Sequence, residues 1–379
     1  MRTSLLLMLA LGCQSPPVAR TVTRLSPASP PLVDVPAAAL APRGTLLLGD
    51  LHGTREIPAF VGRLVASVAQ REPVVLGLEI PRQHAAAVNA YLGSDGSPAM
   101  RQRLVTSTWW QAPYQDGRRS VAAADLLETV RALRAAGRPI EVELIDDDSK
   151  PDSEGREEAM ARNVIAARRA HPNAALIVYA GNLHTSIREV AFQPGFRWMA
   201  MRVASAGIEL VSLTARWSDG TTWLCHDSVA EHCGVEFLAG KSSEPGIHVE
   251  RSPTAQYDGW FGVGSVTASP PAGSPALAAT IDAQIAAAAS SPQAVEARAR
   301  RAYANKAYAT CAELFAQIAK PDAGAAYDHA CCLALAGRKD EAFEKLRLAL
   351  VAGFQDRAHL DADPDLASLH DDPRWPLSP

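Results

Sequence analysis

The chain has 379 residues, 47% of them hydrophobic and only 6% aromatic, which suits a soluble globular protein of about two domains. Lys and Arg number 37 against 41 Asp and Glu, giving a formal net charge of -4. That balance lacks the basic excess of a nucleic-acid binder, so no nucleic-acid partner is expected.

Met1 and Arg2 precede an apolar run, Leu5 to Leu11, that is too short to cross a bilayer and ends in Ala10-Leu11-Gly12-Cys13. The stretch resembles a bacterial lipoprotein signal peptide, in which small residues precede a cysteine that becomes lipidated and N-terminal. On that reading residues 1–13 are the signal with its cysteine, and Cys13 holds the protein on a membrane surface. The expected location is the bacterial cell envelope, at the outer membrane or facing the periplasm. An ordinary cleaved secretory peptide is the alternative. Residues 14–43, rich in Pro, Ala, Ser and Val, read as a flexible tether, with the folded part starting near Arg43.

From Gly44 to about Gly207 short apolar runs alternate with helical patterns, which predicts βαβ units, a mainly parallel sheet with flanking helices, and so an α/β fold. Thr45–Leu48 leads to Asp50 and His52, and "PVVLGLEI" carries Glu79 near its end. "IEVELIDDD" ends in Asp146, Asp147 and Asp148, and "ALIVYAGNLH" in Asn182 and His184. Ligands of open parallel sheets bind beyond the carboxyl ends of the strands, so these polar groups are candidates to converge there. Each has a simpler reading: Asp50, for example, could cap the helix that begins near Arg55. Two Gly-x-x-His turns, "GDLH" and "GNLH", each after an apolar strand, point instead to histidines aimed across the strand tips.

"LLLGDLHGTRE", "LGLEIPRQ", "GREEAMARNVI" and "IVYAGNLHT" resemble the motifs of the ChaN-like group, within the superfamily of the Tiki and TraB proteins and, more remotely, the erythromycin esterases. The likeness covers roughly residues 44 to 268, through "YDGWFGVGSVTASPP". It implies that His52 and His184 are the two histidines, and Glu79 the acid closing the second strand, of an active or metal-binding centre. Asp50 stands where relatives usually show glutamate, an arm one methylene longer, which puts direct metal bonding or proton transfer through it in doubt. His52-Gly53-Thr54-Arg55-Glu56 is similar to the "HGTSE" of the esterases, although their Glu-x-x-His spacing is Asp-x-His here, so a macrolide substrate does not follow.

On the helix "GREEAMARNVIAARRA", Arg156, Met160 and Asn163 share one face. Arg156 either pairs with a surface acid such as Asp152 or reaches the site, and the resemblance implies the latter, with Arg156 orienting Glu79 or an anionic substrate group. "TSTWWQAPYQDGR" breaks the pattern with Trp109, Trp110 and Tyr114, which either line a substrate or haem pocket or plug the core under a loop. "CHDSVAEHC" offers Cys225, His226, His232 and Cys233 as a metal cluster, or Cys225 and Cys233 as a disulfide; an exported protein favours the disulfide.

After "ASPPAGSPA" the composition turns to alanine-rich helix. Residues 44–270 are therefore read as the α/β domain, 271–283 as a linker and 284–379 as helical repeats. Cys311, Phe315 and Ala319 overlay on Ala342, Leu346 and Leu350, and the pattern resembles tetratricopeptide repeats. Cys331 and Cys332 then read as small core residues. Such a module packs on the enzyme domain or binds a peptide or protein partner.

The leading expectation is hydrolysis of an amide, peptide or ester bond. His52 or Glu79 would act as general base, with His184 steadying developing charge or holding a divalent metal (zinc, manganese or cobalt) together with His52 and Glu79. Asp50 and Arg156 would orient them. The resemblance to ChaN-like lipoproteins implies a haem- or iron-binding alternative, with Tyr91, Tyr114 or His84 as axial ligands. The third reading is a repeat-based interaction protein with an inactive α/β domain.

Overall fold

The computed structural model describes residues 31–150, 152–227, 229–240 and 244–375; Cys13 and the signal stretch lie outside them. The α/β region opens with β1 (Thr45–Asp50), α1 (Glu56–Val68), β2 (Val74–Pro81), α2 (Ala85–Leu92), α3 (Pro98–Val105) and α4 (Val121–Ala135). It continues with β3 (Ile140–Asp146), α5 (Ser153–Ala170), β4 (Ala175–Gly181), α6 (Met199–Ser205) and β5 (Val211–Arg216). Four more strands close it: β6 (Gly220–Cys225), β7 (Cys233–Leu238), β8 (Gly246–Val249) and β9 (Gly259–Gly262). Helices α7 (Pro275–Ala289), α8 (Pro292–Ala304), α9 (Tyr308–Phe315), α10 (Ala323–Leu335), α11 (Lys339–Val351) and α12 (Arg357–Ala362) follow.

The main sheet has seven strands in the order β3-β2-β4-β1-β5-β9-β8. Every neighbouring pair is parallel except β8 on β9. Helices cover both faces, so strand residues are buried on both sides. Leu46 and Leu48 pack with Phe60, Leu64 and Leu127 of α1 and α4; Leu47, one residue out of phase, packs with Met160, Val164 and Met199 of α5 and α6. This period of two over a doubly covered sheet is why the strands read as continuous apolar runs. Each such leucine contributes roughly 1.5–3 kcal/mol by burial.

The strand order matters because it aligns strand tips from distant parts of the chain. Asp50 of β1 is paired in register with Gly181 of β4, and Leu78 of β2 with Tyr179 of β4. On the other side of β2, Pro81 pairs with Asp146 of β3. The β2–β3 register shifts between Leu78 and Pro81, so Glu79 sits in a local irregularity of the kind that re-aims a side chain.

Three boundaries differ from the sequence reading. The tether does not run to residue 43: Val35, Ala39 and Leu40 are buried in the main core, and Val33 N–H donates to Ser67 Oγ at 2.8 Å. Short apolar residues between prolines carried no periodicity that would announce this. The linker expected at 271–283 is mostly α7, whose Ile281 packs with Trp223 and Ala268. From Leu32 on, the α/β region and the helices form one unit, and Arg301 of α8 bonds Asp219 at 2.5 Å and the carbonyl of Gly240 at 2.8 Å. Cys332 is also more than a small core residue, since it forms a disulfide with Cys311 that ties α10 to α9.

The overlay of the helical stretch is reflected in burial at its first two positions: Cys311 and Ala342 are buried, as are Phe315 and Leu346. Ala319 falls beyond the end of α9 and is exposed, whereas Leu350 is partly buried. Among the described residues no helix is long and apolar enough to cross a membrane.

Candidate active site

The turn after β1 places His52 over the strand tips and is held by later parts of the chain. Gly53 has φ +95, and a Cβ there would lie 1.8 Å from the carbonyl oxygen of Trp223, so the position requires glycine. Trp223 N–H and Ser269 N–H both donate to the Gly53 carbonyl, at 3.0 and 2.8 Å. Thr222 Oγ1 donates to the carbonyl of His52 at 3.1 Å. β6 and the stretch around Ala268 therefore strap the turn, while the helix it leads into starts without a side-chain cap; Asp50 does not cap it.

Asp50 instead faces His52, with Oδ2 3.1 Å from Nδ1, and accepts the Tyr179 hydroxyl. His52 Nε2 points to Glu79 Oε2 at 3.3 Å. His184 repeats the arrangement from the β4 side: its Nδ1 lies 2.5 Å from Glu157 Oε1, and its Nε2 faces Glu79 Oε1 at 3.4 Å. Glu157 is fixed in turn by Met199 N–H at 2.7 Å. Two imidazoles, each backed by an acid at Nδ1, thus aim Nε2 at one carboxylate.

Two arginines complete the ring. Arg156 holds Asp146 with Nε and Nη2 at 2.8 and 2.7 Å, reaches Glu79 Oε1 at 2.8 Å, and has Nη1 3.3 Å from His184 Nε2. Arg118 binds Asp116 at 2.6 Å and extends Nη1 to Glu79 Oε1 at 3.2 Å and Asp146 at 3.1 Å. Gly181 N–H donates to Glu79 Oε2 at 2.6 Å. Asp152 caps α5 through Gly155 N–H, which leaves Arg156 free to turn inward. Each cation around Glu79 therefore has an acid partner of its own: Asp50, Glu157, Asp146 or Asp116.

Burial disfavours charge on His52, Glu79 and His184, yet mutual pairing wins. Against that burial, Glu79 and then Asp50 push the His52 pKa up to about 10. Glu79 with Glu157 raises His184 to about 9, again in opposition to burial. Glu79, although buried, is held well below the usual carboxylate range by His184 and His52. Burial and Asp50 push the Tyr179 phenol well above its ordinary value, so it stays a donor. At neutral pH the centre is an anionic Glu79 between two imidazolium ions and two guanidinium ions.

That arrangement does not fit a divalent metal on His52, Glu79 and His184. Both Glu79 oxygens already accept N–H groups, and the Arg156 guanidinium stands beside His184 Nε2. No choice of one donor from each of the three brings all three within 4.8 Å of one another.

No family model and no curated protein matches the chain. Solved structures similar to it include a mutant erythromycin esterase in its open conformation, at 11% identity and TM-score 0.43 over 55% of this chain and 79% of that one. A Bacillus cereus protein gives 12%, 0.38, 62% and 90% in the same order, and a succinoglycan biosynthesis protein 12%, 0.38, 62% and 86%. The similarity is remote. It concerns shape, and the chemistry of this chain rests on its own residues.

The structure brings together all five expected residues, Asp50, His52, Glu79, Arg156 and His184, with Asp146 as a sixth. Asp147 and Asp148 point elsewhere, Asp147 to Ser149 and Lys150 and Asp148 to His84. Asn182 contributes its carbonyl to Tyr257 and Thr185. Asn163 braces the end of β3 through the Ile145 carbonyl at 2.8 Å. Arg118, Asp116, Glu157 and Tyr179 were not anticipated. Their only sequence signal is position, since Glu157 adjoins Arg156 and Tyr179 lies within an apolar strand.

Of the three aromatics before α4, Trp109 and Trp110 are core, whereas Tyr114 is half-buried. Trp109 and Trp110 are buried edge to face at 5.0 Å, and Tyr91 is buried with its hydroxyl on Glu128 at 2.7 Å. Tyr91 is thereby withdrawn from the accessible surface that an axial haem ligand needs. Cys225 and Cys233 form a disulfide, while His226 pairs with Glu236 and His232 with Asp227, so the metal-cluster reading of that stretch does not hold.

Proposed function

We propose that the chain hydrolyses ester or amide bonds without a bound metal, using His52 and His184 as a base and acid pair. The observation that carries this reading is the doubled arrangement on Glu79: two imidazoles, each oriented by an acid at Nδ1, with each Nε2 atom facing one oxygen of the same carboxylate at the strand tips. An open cleft of about 250 Å³, lined by His52, Arg118, Arg156, Asn182 and His184, gives a substrate access. A cavity of about 40 Å³ that shares His52, Glu79 and Arg118 with this cleft and is otherwise walled by residues such as Leu78, Ile80 and Leu127 suits a short apolar substituent.

In the working form His184 has given up its Nε2 proton. It takes a proton from water as the oxygen attacks the carbonyl carbon, while Glu157 holds the Nδ1–H tautomer. His52, still an imidazolium oriented by Asp50, donates from Nε2 to the leaving oxygen or nitrogen, and the C–O or C–N bond breaks to give an acid and an alcohol or amine. Arg156 and Arg118 keep the centre positive where the oxyanion develops. Glu79 fixes the spacing of all four cations.

The test is a panel of nitrophenyl esters, anilides and peptides with the wild-type protein and the His52→Ala and His184→Ala variants. General acid–base partners contribute roughly 10²–10⁴-fold, so each variant should lose at least about a hundredfold while its thermal transition stays in place. Full activity in His184→Ala, or a folded wild type inert on every substrate, sinks the proposal. Anchoring through lipidated Cys13 and a peptide partner on the helical region are part of the same proposal. They rest on the Ala10-Leu11-Gly12-Cys13 end of the apolar run and on the overlay of α9 with α11.

A further inference from the structure

Two spaces meet at the centre, and they differ in size and chemistry. The open cleft of about 250 Å³ is lined by polar groups such as Arg156, Asn182 and His184. The cavity of about 40 Å³ lies against the tip of β2 and the first turns of α4. His52, Glu79 and Arg118 belong to both, so a carbonyl group held at that shared wall sends one substituent into each space.

The smaller space is apolar where it is not already satisfied. Leu78 and Ile80 supply the β2 side. Ala123, Leu126 and Leu127 supply the α4 side, at the i, i+3 and i+4 positions that share a helix face. The polar groups of the wall have partners elsewhere. Glu79 accepts from Gly181 N–H and Arg156, the Tyr179 hydroxyl donates to Asp50, and Ser120 Oγ accepts from Ala123 N–H at 3.3 Å. A group entering here therefore gains by leaving water, not by new hydrogen bonds. Roughly 10–15 Å³ of such space holds one water-sized group, so 40 Å³ takes a chain of about two or three carbons.

We propose that this cavity is an acyl pocket, that the substrate is an ester or amide of a short-chain fatty acid, propionyl or butyryl in size, and that Ala123 sets the length limit. The assignment rests on the hydrolysis proposed above. It adds which side of the scissile bond is selected, and by which residue.

The two substituents sort by what happens to them. The alcohol or amine, once protonated by His52, has to depart, and the open cleft is its way out. The acid stays until last, with its chain between β2 and α4. Arg118 stands at the wall common to both spaces, where the carbonyl oxygen gains charge as water adds. Ala123 is the small residue on the α4 face of the cavity. A leucine in its place brings three more carbons into the space that the acyl chain would fill.

The experiment measures kcat/KM of the full chain on nitrophenyl esters from acetate to octanoate, for the wild type, Ala123→Leu and the milder Ala123→Val. One buried methylene is worth about fourfold, the equivalent of about 0.8 kcal/mol. The wild type should therefore gain about fourfold per carbon from acetate to butyrate and fall about tenfold or more by octanoate. Ala123→Leu should lower the butyrate-to-acetate ratio about tenfold, and Ala123→Val about threefold. That ratio, taken within one preparation, does not depend on the fraction folded. Butyrate esters of ethyl to hexyl alcohols should differ by less than about threefold, because the alcohol lies in the cleft. Rates that ignore acyl length, a limit on the alcohol in place of the acid, or an unchanged ratio in both Ala123 variants overturn the acyl pocket and leave the hydrolysis standing. A wild type inert on every ester ends the hydrolysis itself, and the pocket assignment with it.

Discussion

Replacing Glu79 with glutamine tests the centre at its hub. The carboxylate is 7% exposed and faces His52 at 3.3 Å, His184 at 3.4 Å, Arg156 at 2.8 Å and Arg118 at 3.2 Å. Removing one partner of a buried ion pair costs about 3–5 kcal/mol. Here each cation keeps a second acid, so the lower end, about 3 kcal/mol, applies near pH 6. The pH dependence gives the sharper signature. In the wild type the folded pKa values of His52 and His184 stand at about 10 and about 9, above the ordinary value of 6.5. Their contribution is therefore complete below pH 6.5 and lost as pH rises through 9 to 10. Without Glu79 both values fall, because burial remains and the main opposing charge is gone. The stability gap between wild type and Glu79→Gln should thus be widest near pH 6 and narrow towards pH 10. Urea unfolding followed by the fluorescence of buried Trp109, Trp110 and Trp198 measures it, and histidine ring NMR follows the titrations directly. A gap below about 1 kcal/mol at pH 6, or one that is flat with pH, refutes the reasoning.

Four further outcomes are expected. With His184 as base at about 9 and His52 as acid at about 10, kcat/KM on a nitrophenyl ester should climb tenfold per pH unit from neutrality and peak between those values; an optimum near pH 7 contradicts the assignment. Gly181→Ala places a methyl 3.1 Å from His52 Nε2 and 3.4 Å from Glu79 Oε2 and His184 Cδ2, and should lower kcat about 10- to 100-fold with little change in KM or melting temperature; unchanged kcat would show that the three groups do not act together. Cys13→Ser should release the protein from membranes and abolish palmitate incorporation, which fractionation and labelling read directly. The purified protein, incubated with haem, should give no ligated-haem absorption band, and a stoichiometric band would revive the uptake reading.

How much of this was legible in the sequence follows from what each feature depends on. Apolar runs ending in polar residues announced β1 to β4, because a strand covered on both faces has no other way to read. Asp50, His52, Glu79 and His184 could be found since each sits at the tip of such a run. Their convergence could not, because it depends on β4 lying between β1 and β2, a matter of pairing between segments more than a hundred residues apart. Arg118 and Asp116 come from the irregular segment before α4, where neither period two nor 3.6 marks a position and the tryptophans drew attention instead. Glu79 also needs the shifted register beside Pro81, which is a property of two strands together. The linker expectation fails for a local reason: Pro275 follows Pro-Ala-Gly-Ser and reads as part of the break, although proline at the first turn also starts helices.

The centre also bears on whether the α/β region is active or retained only as a scaffold for the helices. Five carboxylates and four cations, with both histidines protonated, are packed into one partly buried ring. Replacing a buried ionic network of this kind with apolar side chains of similar volume is often neutral or stabilising by about 1–4 kcal/mol. A region that served only as a platform would therefore lose nothing by such replacement. The ring also orders its members beyond what packing requires: both imidazoles are fixed at Nδ1, both Nε2 atoms are turned inward, and Gly181 keeps the space between them empty of side chain. A structural ion network needs charges to be paired, but it has no need for two imidazoles fixed at Nδ1 on either side of one carboxylate in the wall of a cleft. Orientation of that kind is what proton transfer to and from a bound substrate requires, and it separates an acid–base centre from a neutralised core.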